Sequence, residues 1–221
     1  MLFVQVAIIA TVSLCVINAA LSQNVLAVLP VSAWQGVLWS VLAAAFSVAL
    51  DAIIALFIRR ALPKKWFDHK KPIFTVGAKE KKFYEKIKIR KWKDKIPEWG
   101  KFTAFSKNKI ARPSDNEYLD KYFQELCYGE MIHFVSAAAS FAALFFVPRP
   151  LILSVGLPVA VVNALCNLPS AFILRYNSYK LEVLYKNNEK KAVRRQQTAV
   201  SSAVASAISS ASSSEEDKRF A

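Results

Sequence analysis

Residues 116–147 read NEYLDKYFQELCYGEMIHFVSAAASFAALFFV, a stretch that begins polar and ends apolar. Leu119, Phe123, Leu126, Glu130, His133, Ala137 and Ser140 follow one another in alternating steps of four and three, so all seven share one helix face. That face is expected to look into the protein rather than into water or lipid. Glu130 and His133 sit on it just where the helix turns apolar. Ionisable groups are costly in such a place, and their presence points to a task.

The rest of the chain has the same division. Of its 221 residues 54% are hydrophobic, more than a soluble domain of this size needs. No charged side chain occurs from Met1 to Leu50, whereas 59–130 holds twenty Lys and Arg against ten Asp and Glu. The segment 175–195 holds seven basic residues against two acidic ones. This segregation marks an all-α integral membrane protein.

About four transmembrane helices are expected, near 2–21, 32–58, 131–147 and 151–174, since a span needs roughly 20 apolar residues. The third is short and continues a helix that starts outside the bilayer. A basic, aromatic insert, 59–113, separates the second span from the third and is expected at the membrane interface. An amphipathic helix then leads into the last two spans over 114–185. The Ser/Ala-rich tail 196–221 is expected to be disordered or marginally helical. Both basic regions should face the cytoplasm, which places both termini there in a multi-pass protein of the cell membrane.

The net charge of +14 invites a nucleic-acid reading. It borders membrane spans, however, where anionic headgroups attract it, and no zinc-ligand spacing or basic recognition helix supports a nucleic-acid partner. Met1 to Ala20 lacks the basic start of a signal peptide and reads as a retained anchor. Cys15, Cys127 and Cys166 show no paired spacing and read as free thiols. His69, in the run PKKWFDHKK, reads as a solvated surface residue, and Trp66 beside it as an interface anchor. Residues 87–91 fit a helix or a strand equally. Ser114-Asp115-Asn116-Glu117 spells a capping box, which starts the helix near Asp115.

Glu130 and His133, three apart, can meet on one turn. A carboxylate beside an imidazole raises its basicity and holds its tautomer, as a general base requires. The same pair can equally be structural glue between helices. The last span supplies Asn163 and Asn167 on one face, then Pro169, then Arg175-Tyr176-Asn177. The link between the third and fourth spans is short, so these helices must be antiparallel neighbours. Glu130, His133, Asn167, Arg175 and Asn177 are thus expected at one depth. Asp51, two turns inside the second span, needs a partner, with Arg59 or the Asn residues as candidates. Glu125 reads as a surface charge or a supporting group. A metal site is disfavoured, since His133 with one or two Glu supplies too few ligands.

Three stretches carry a family resemblance: YEKIKIRKWKDKIPE at 84–98, FQELCYGEMIHF at 123–134 and NLPSAFILRYNSYKL at 167–181. Together they resemble the glycosyl-4,4′-diaponeurosporenoate acyltransferase family, associated with the last step of staphyloxanthin-type carotenoid synthesis. The region runs roughly from residue 60 to 185. The matching positions are Trp92, Lys93 and Pro97, then Glu125, Glu130 and His133, then Asn167, Pro169, Arg175, Tyr176 and Asn177. Phe134 stands where the family is expected to carry Trp.

The resemblance implies transfer of a fatty acyl group to a sugar hydroxyl of a glycosylated carotenoid or related glycolipid. No bound cofactor is expected; the activated donor, acyl-CoA or similar, is a co-substrate, and membrane lipid is a partner. On this reading His133 is the base and Glu130 orients it. Arg175 and Asn177, with Asn167, stabilise the oxyanion or hold the donor. Trp92 and Lys93 recruit the donor at the membrane surface, and Glu125, Tyr176 and Asp51 support the site. The competing reading is a non-enzymatic lipid-binding or assembly protein in which Glu130 and His133 are structural.

Overall fold

The computed structural model describes Ser13, residues 32–96 and residues 110–219. The expected first span, Cys15, Pro97 and most of the polar connector that follows it lie outside the described residues.

Every element among the described residues is helical. Helix α1, Ala33–Arg60, starts at a capping box in which Ser32 Oγ accepts from the Gln35 amide and the Gln35 side chain accepts from the Ser32 amide. The insert holds two short helices, α2 (Ala78–Lys86) and α3 (Ile89–Trp92). The ambiguity at 87–91 resolves as a turn at Ile87 and Lys88 followed by the helix from Ile89, with Lys88 at φ 55° in the left-handed conformation between α2 and α3.

Helix α4, Asn116–Ala139, continues through a 3₁₀ turn, Ser140–Ala142, into α5, Ala143–Phe146. Its N-cap is Asp115, whose carboxylate accepts from the Tyr118 amide. Ser114 is therefore not the cap; the shorter reach from Asp115 fills that place. A tight connection follows, with a 3₁₀ turn, Arg149–Leu151, and a π turn, Ile152–Gly156. Gly156 is needed there: a Cβ would stand 2.9 Å from Val147 Cγ2.

Helix α6, Leu157–Arg219, then runs antiparallel to α4 and contains Pro169. The tail expected to be disordered or marginally helical continues this helix, and residues 197–204 are exposed along it. Among the described residues three helical stretches, Trp34–Arg60, Asn116–Phe146 and Arg149–Val204, are long and apolar enough to cross a membrane.

The predicted stripe on α4 faces inward. Leu119, Phe123, Leu126, Glu130, Ala137 and Ser140 are buried and His133 is half-buried. Leu119, Phe123 and Leu126 pack with Leu181 of α6, and Ile58 of α1 packs with Cys127 and Tyr128. At the opposite end Ala43 meets Val147, Leu151, Val155 and Val159. The insert folds back onto the bundle: Tyr84 and Ile89 are buried against Ile173 and Tyr176. Burying this apolar face holds the insert to α6 rather than leaving it flat on a lipid surface.

Candidate functional site

Because α4 and α6 run antiparallel, each step inward on α4 meets a step backward on α6. Glu130 faces Arg175, His133 faces Asn167, and Ser140 faces Asn163. Gly129 allows the approach: a Cβ there would come within 2.7 Å of Leu174 Cδ1. The polar groups therefore form a column and not a single layer. Asn167 and Arg175 are eight residues apart on one helix, about 12 Å at 1.5 Å per residue. This corrects the expectation of one depth, and the column divides into two clusters.

The inner cluster joins three helices. His133 Nδ1 lies 2.9 Å from Asn167 Oδ1. Asn167 Nδ2 donates to Asp51 Oδ2 at 3.1 Å and to the Asn163 carbonyl at 3.2 Å. Asn163 Nδ2 donates to Ser140 Oγ at 2.9 Å and lies 3.4 Å from Asp51 Oδ1. Asp51 thus takes the Asn partners; Arg59, the other candidate, pairs with Glu125 at 2.9 Å.

The outer cluster is an ion network centred on Arg175. Arg175 Nη1 donates to Glu130 Oε2 at 3.1 Å and to the Ile73 carbonyl at 2.9 Å. Its Nε and Nη2 donate to the two oxygens of Glu80, and Nη2 also reaches the Thr75 carbonyl. Tyr84 donates its hydroxyl to Glu80. Burial alone pushes the Glu80 carboxyl up. The hydrogen bonds from Arg175 and Tyr84, with the guanidinium charge, outweigh it and hold Glu80 below its ordinary 4.5. Burial and the bond to Glu80 raise the Tyr84 phenol.

These partners revise several expected roles. Glu130 turns to Arg175, and Asn167 takes the ring nitrogen of His133 that Glu130 was expected to hold. The Arg175 guanidinium is committed to two carboxylates and two carbonyls, and Asn167 Nδ2 to Asp51 and Asn163. Neither offers a spare donor for an oxyanion. Asn177 Nδ2 is buried without a partner, yet it lies ten residues beyond Asn167, about 15 Å along the helix.

Tyr176 is buried and accepts from Arg90 Nε at 2.6 Å, which ties α6 to the insert. Trp92 donates Nε1 to the Ile87 carbonyl at 3.0 Å and packs on the Tyr84 cluster. Lys93 Nζ lies 3.2 Å from Asp94, and its side chain is only 14% exposed. Both therefore belong to the packing of the insert rather than to a bare recruiting surface.

His69 is not solvated either. Its side chain is 9% exposed, and its ring stacks on Phe123 at 3.9 Å. It lines, with Thr75, Tyr179, Glu182 and Lys186, a cavity of about 210 Å³ beside the outer part of α6. Trp66, the expected anchor, is exposed. Cys127 and Cys166 are free thiols. Among the described residues no group of three or more His, Cys, Asp and Glu could hold a metal ion.

Sequence reasoning missed Glu80. Its only signal is an acid alone in the basic run KEKK, four residues before Tyr84. The carbonyls of Ile73 and Thr75 carry no signal in side-chain types at all.

The model of the glycosyl-4,4′-diaponeurosporenoate acyltransferase family matches residues 63–187. The chain belongs to this family. The match spans the insert, α4 and the part of α6 that holds Asn163, Asn167 and Arg175, so both polar clusters fall largely within it. Asp51 lies outside it, on α1. The family name denotes an acyltransferase of carotenoid biosynthesis that acts on a glycosylated carotenoid. No curated protein and no solved structure matches the chain significantly.

Proposed function

We propose that this protein transfers a fatty acyl group from an activated donor to a sugar hydroxyl of a glycosylated carotenoid within the membrane, with His133 as general base. One observation carries the reading. His133 is half-buried among membrane helices and held through Nδ1, while its Nε2 has no hydrogen-bond partner among the described residues. A base needs such a nitrogen facing its substrate.

In the step, Nε2 takes the hydroxyl proton as the sugar oxygen bonds to the acyl carbonyl carbon. The tetrahedral adduct collapses with loss of the donor's leaving group, a thiolate if the donor is a thioester. The leaving group then takes the proton from the imidazolium. One ester forms, one thioester breaks, and the base is regenerated.

The outer cluster serves a different end. Arg175 pins residues 73–80 against α4 and α6 beside Glu130. The excess of Lys and Arg in 59–130 and 175–195 supports a cytoplasmic face for the insert, with both termini on that side. An acyl-CoA or similar donor would then meet the site from the cytoplasm, and the apolar acceptor would enter from the bilayer.

Lipid extracts from cells that make glycosylated carotenoid, with and without this protein, test the reading by mass. The expected product is heavier than the glycoside by one fatty acid less water. Identical masses in both extracts would overturn it.

A further inference from the structure

The inner cluster fixes the direction of every hydrogen bond in it. Ser140 donates its hydroxyl to the Ser136 carbonyl at 2.8 Å, so Ser140 Oγ accepts from Asn163, and the Asn163 atom it faces must be nitrogen. The Asn163 carbonyl can only accept, so the Asn167 atom 3.2 Å away must be nitrogen as well. That leaves the Asn167 oxygen facing His133 Nδ1 at 2.9 Å. An amide oxygen only accepts, so Nδ1 must carry the hydrogen, and a neutral imidazole then has a bare Nε2. Both ends of this logic rest on backbone carbonyls, so it holds whatever the charge on Asp51.

Asp51 adds the charge. It lies within the membrane-spanning part of α1, and among the described residues it makes no ion pair. Its contacts are the side-chain amides of Asn163 and Asn167. A carboxylate in that setting is costly without a cation nearby. The cation that the reaction itself creates is the imidazolium of His133, one amide away.

We infer that Asn167 and Asp51 are positioning residues for His133: Asn167 holds the ring in its Nδ1–H form, and Asp51 balances the charge that develops when Nε2 takes a proton. The inference rests on the acyl-transfer reading for its catalytic half, and its tautomer half stands alone. It also separates the two acids of the stripe region, since Glu130 belongs to Arg175 and Asp51 to His133.

The chain has only two histidines, which makes a direct test possible. Purified full-length protein in nanodiscs, labelled with ¹⁵N in its histidine rings, gives one spectrum per variant, and His69→Gln assigns the His133 signals. The expected spectrum shows His133 protonated at Nδ1 and bare at Nε2. Asn167→Leu should mix the two tautomers. Asp51→Asn should keep the tautomer while kcat for acyl transfer falls on the order of 10²-fold, with KM changed much less.

The exchange Asp51→Asn with Asn167→Asp places the carboxylate directly on Nδ1 and the amide behind it. It should return kcat to within a few-fold of the parent. A parental His133 protonated at Nε2 would overturn the tautomer assignment even if transfer is found. An exchange variant no better than Asp51→Asn, with the parental tautomer and thermal midpoint, would overturn the charge-balancing role. The spectrum needs no substrate, so a parent that shows no transfer refutes the function proposed above without touching the orientation of the ring.

Discussion

Two polar clusters follow one another along the same pair of helices, Glu130 and His133 within one turn on α4 and Arg175 and Asn167 about two turns apart on α6, and they are built on opposite principles. The outer one, Glu80, Arg175 and Glu130, joins two carboxylates to one guanidinium whose N–H groups are used on the protein itself. The inner one, Asp51, Asn163, Asn167, Ser140 and His133, holds one carboxylate without an ion pair and ends on an imidazole nitrogen without a hydrogen-bond partner among the described residues. A guanidinium whose donors are all taken by the protein holds parts together, even though Glu130 Oε1 is buried without a hydrogen-bond partner among the described residues. A network that stops at an open nitrogen can exchange a proton with something else. On the function proposed above, packing falls to the first cluster and chemistry to the second.

If the outer cluster is structural, removing Arg175 should cost stability more than it changes proton transfer. The side chain of Glu130 is 2% exposed, so Arg175→Ala leaves a buried carboxylate without its cation. Breaking such a pair typically costs about 3–5 kcal/mol. Thermal unfolding in nanodiscs should show a markedly lower midpoint, and an unchanged midpoint would dissolve the distinction between the clusters. Glu130→Gln should cost less, because an amide oxygen still accepts from Arg175.

Acid should loosen the same cluster from the other side. The carboxyl of Glu80 is held below its ordinary 4.5, so it binds a proton less readily in the folded protein than in the unfolded one. Its contribution is therefore fully present above about that value and is lost as pH falls through the lowered one. Hydrogen exchange or limited proteolysis of residues 73–86 should rise as pH drops below 4.5. Glu80→Gln should abolish that dependence, and a pH response equal in parent and variant would remove Glu80 as its source.

The smallest effect is expected at Arg59 and Glu125. They pair at 2.9 Å, but their side chains are 39% and 28% exposed. A double-mutant cycle should give about 0.2–1 kcal/mol, as exposed pairs do. A value several times larger would mean that this pair belongs to the outer network.

The apolar architecture was legible because it is written in local periodicity. The four–three stripe on α4 predicted its buried face, and the apolar run ending near Ile58 predicted α1. Asp51 was correctly flagged as needing a partner, since an acid in a lipid-length apolar run must be accounted for. What the sequence hid depends on contacts between distant residues. Glu130 and His133 are three apart and invite pairing, yet each finds a better-placed partner on α6. Arg175 looks like a spare cation until Glu80, ninety-five residues away, and two backbone carbonyls consume its donors. His69 looks solvated until the fold lays it on Phe123. Lys88 gives no composition signal for its left-handed turn, so strand and helix stayed equal there.

The central claim is that His133 is the base. Purified parent and His133→Ala, both in nanodiscs with a glycosylated carotenoid and an acyl thioester, should differ in single-turnover rate by about 10²- to 10⁴-fold. Their thermal midpoints should nearly coincide, since His133 is only half-buried. Equal rates for parent and variant would contradict the account.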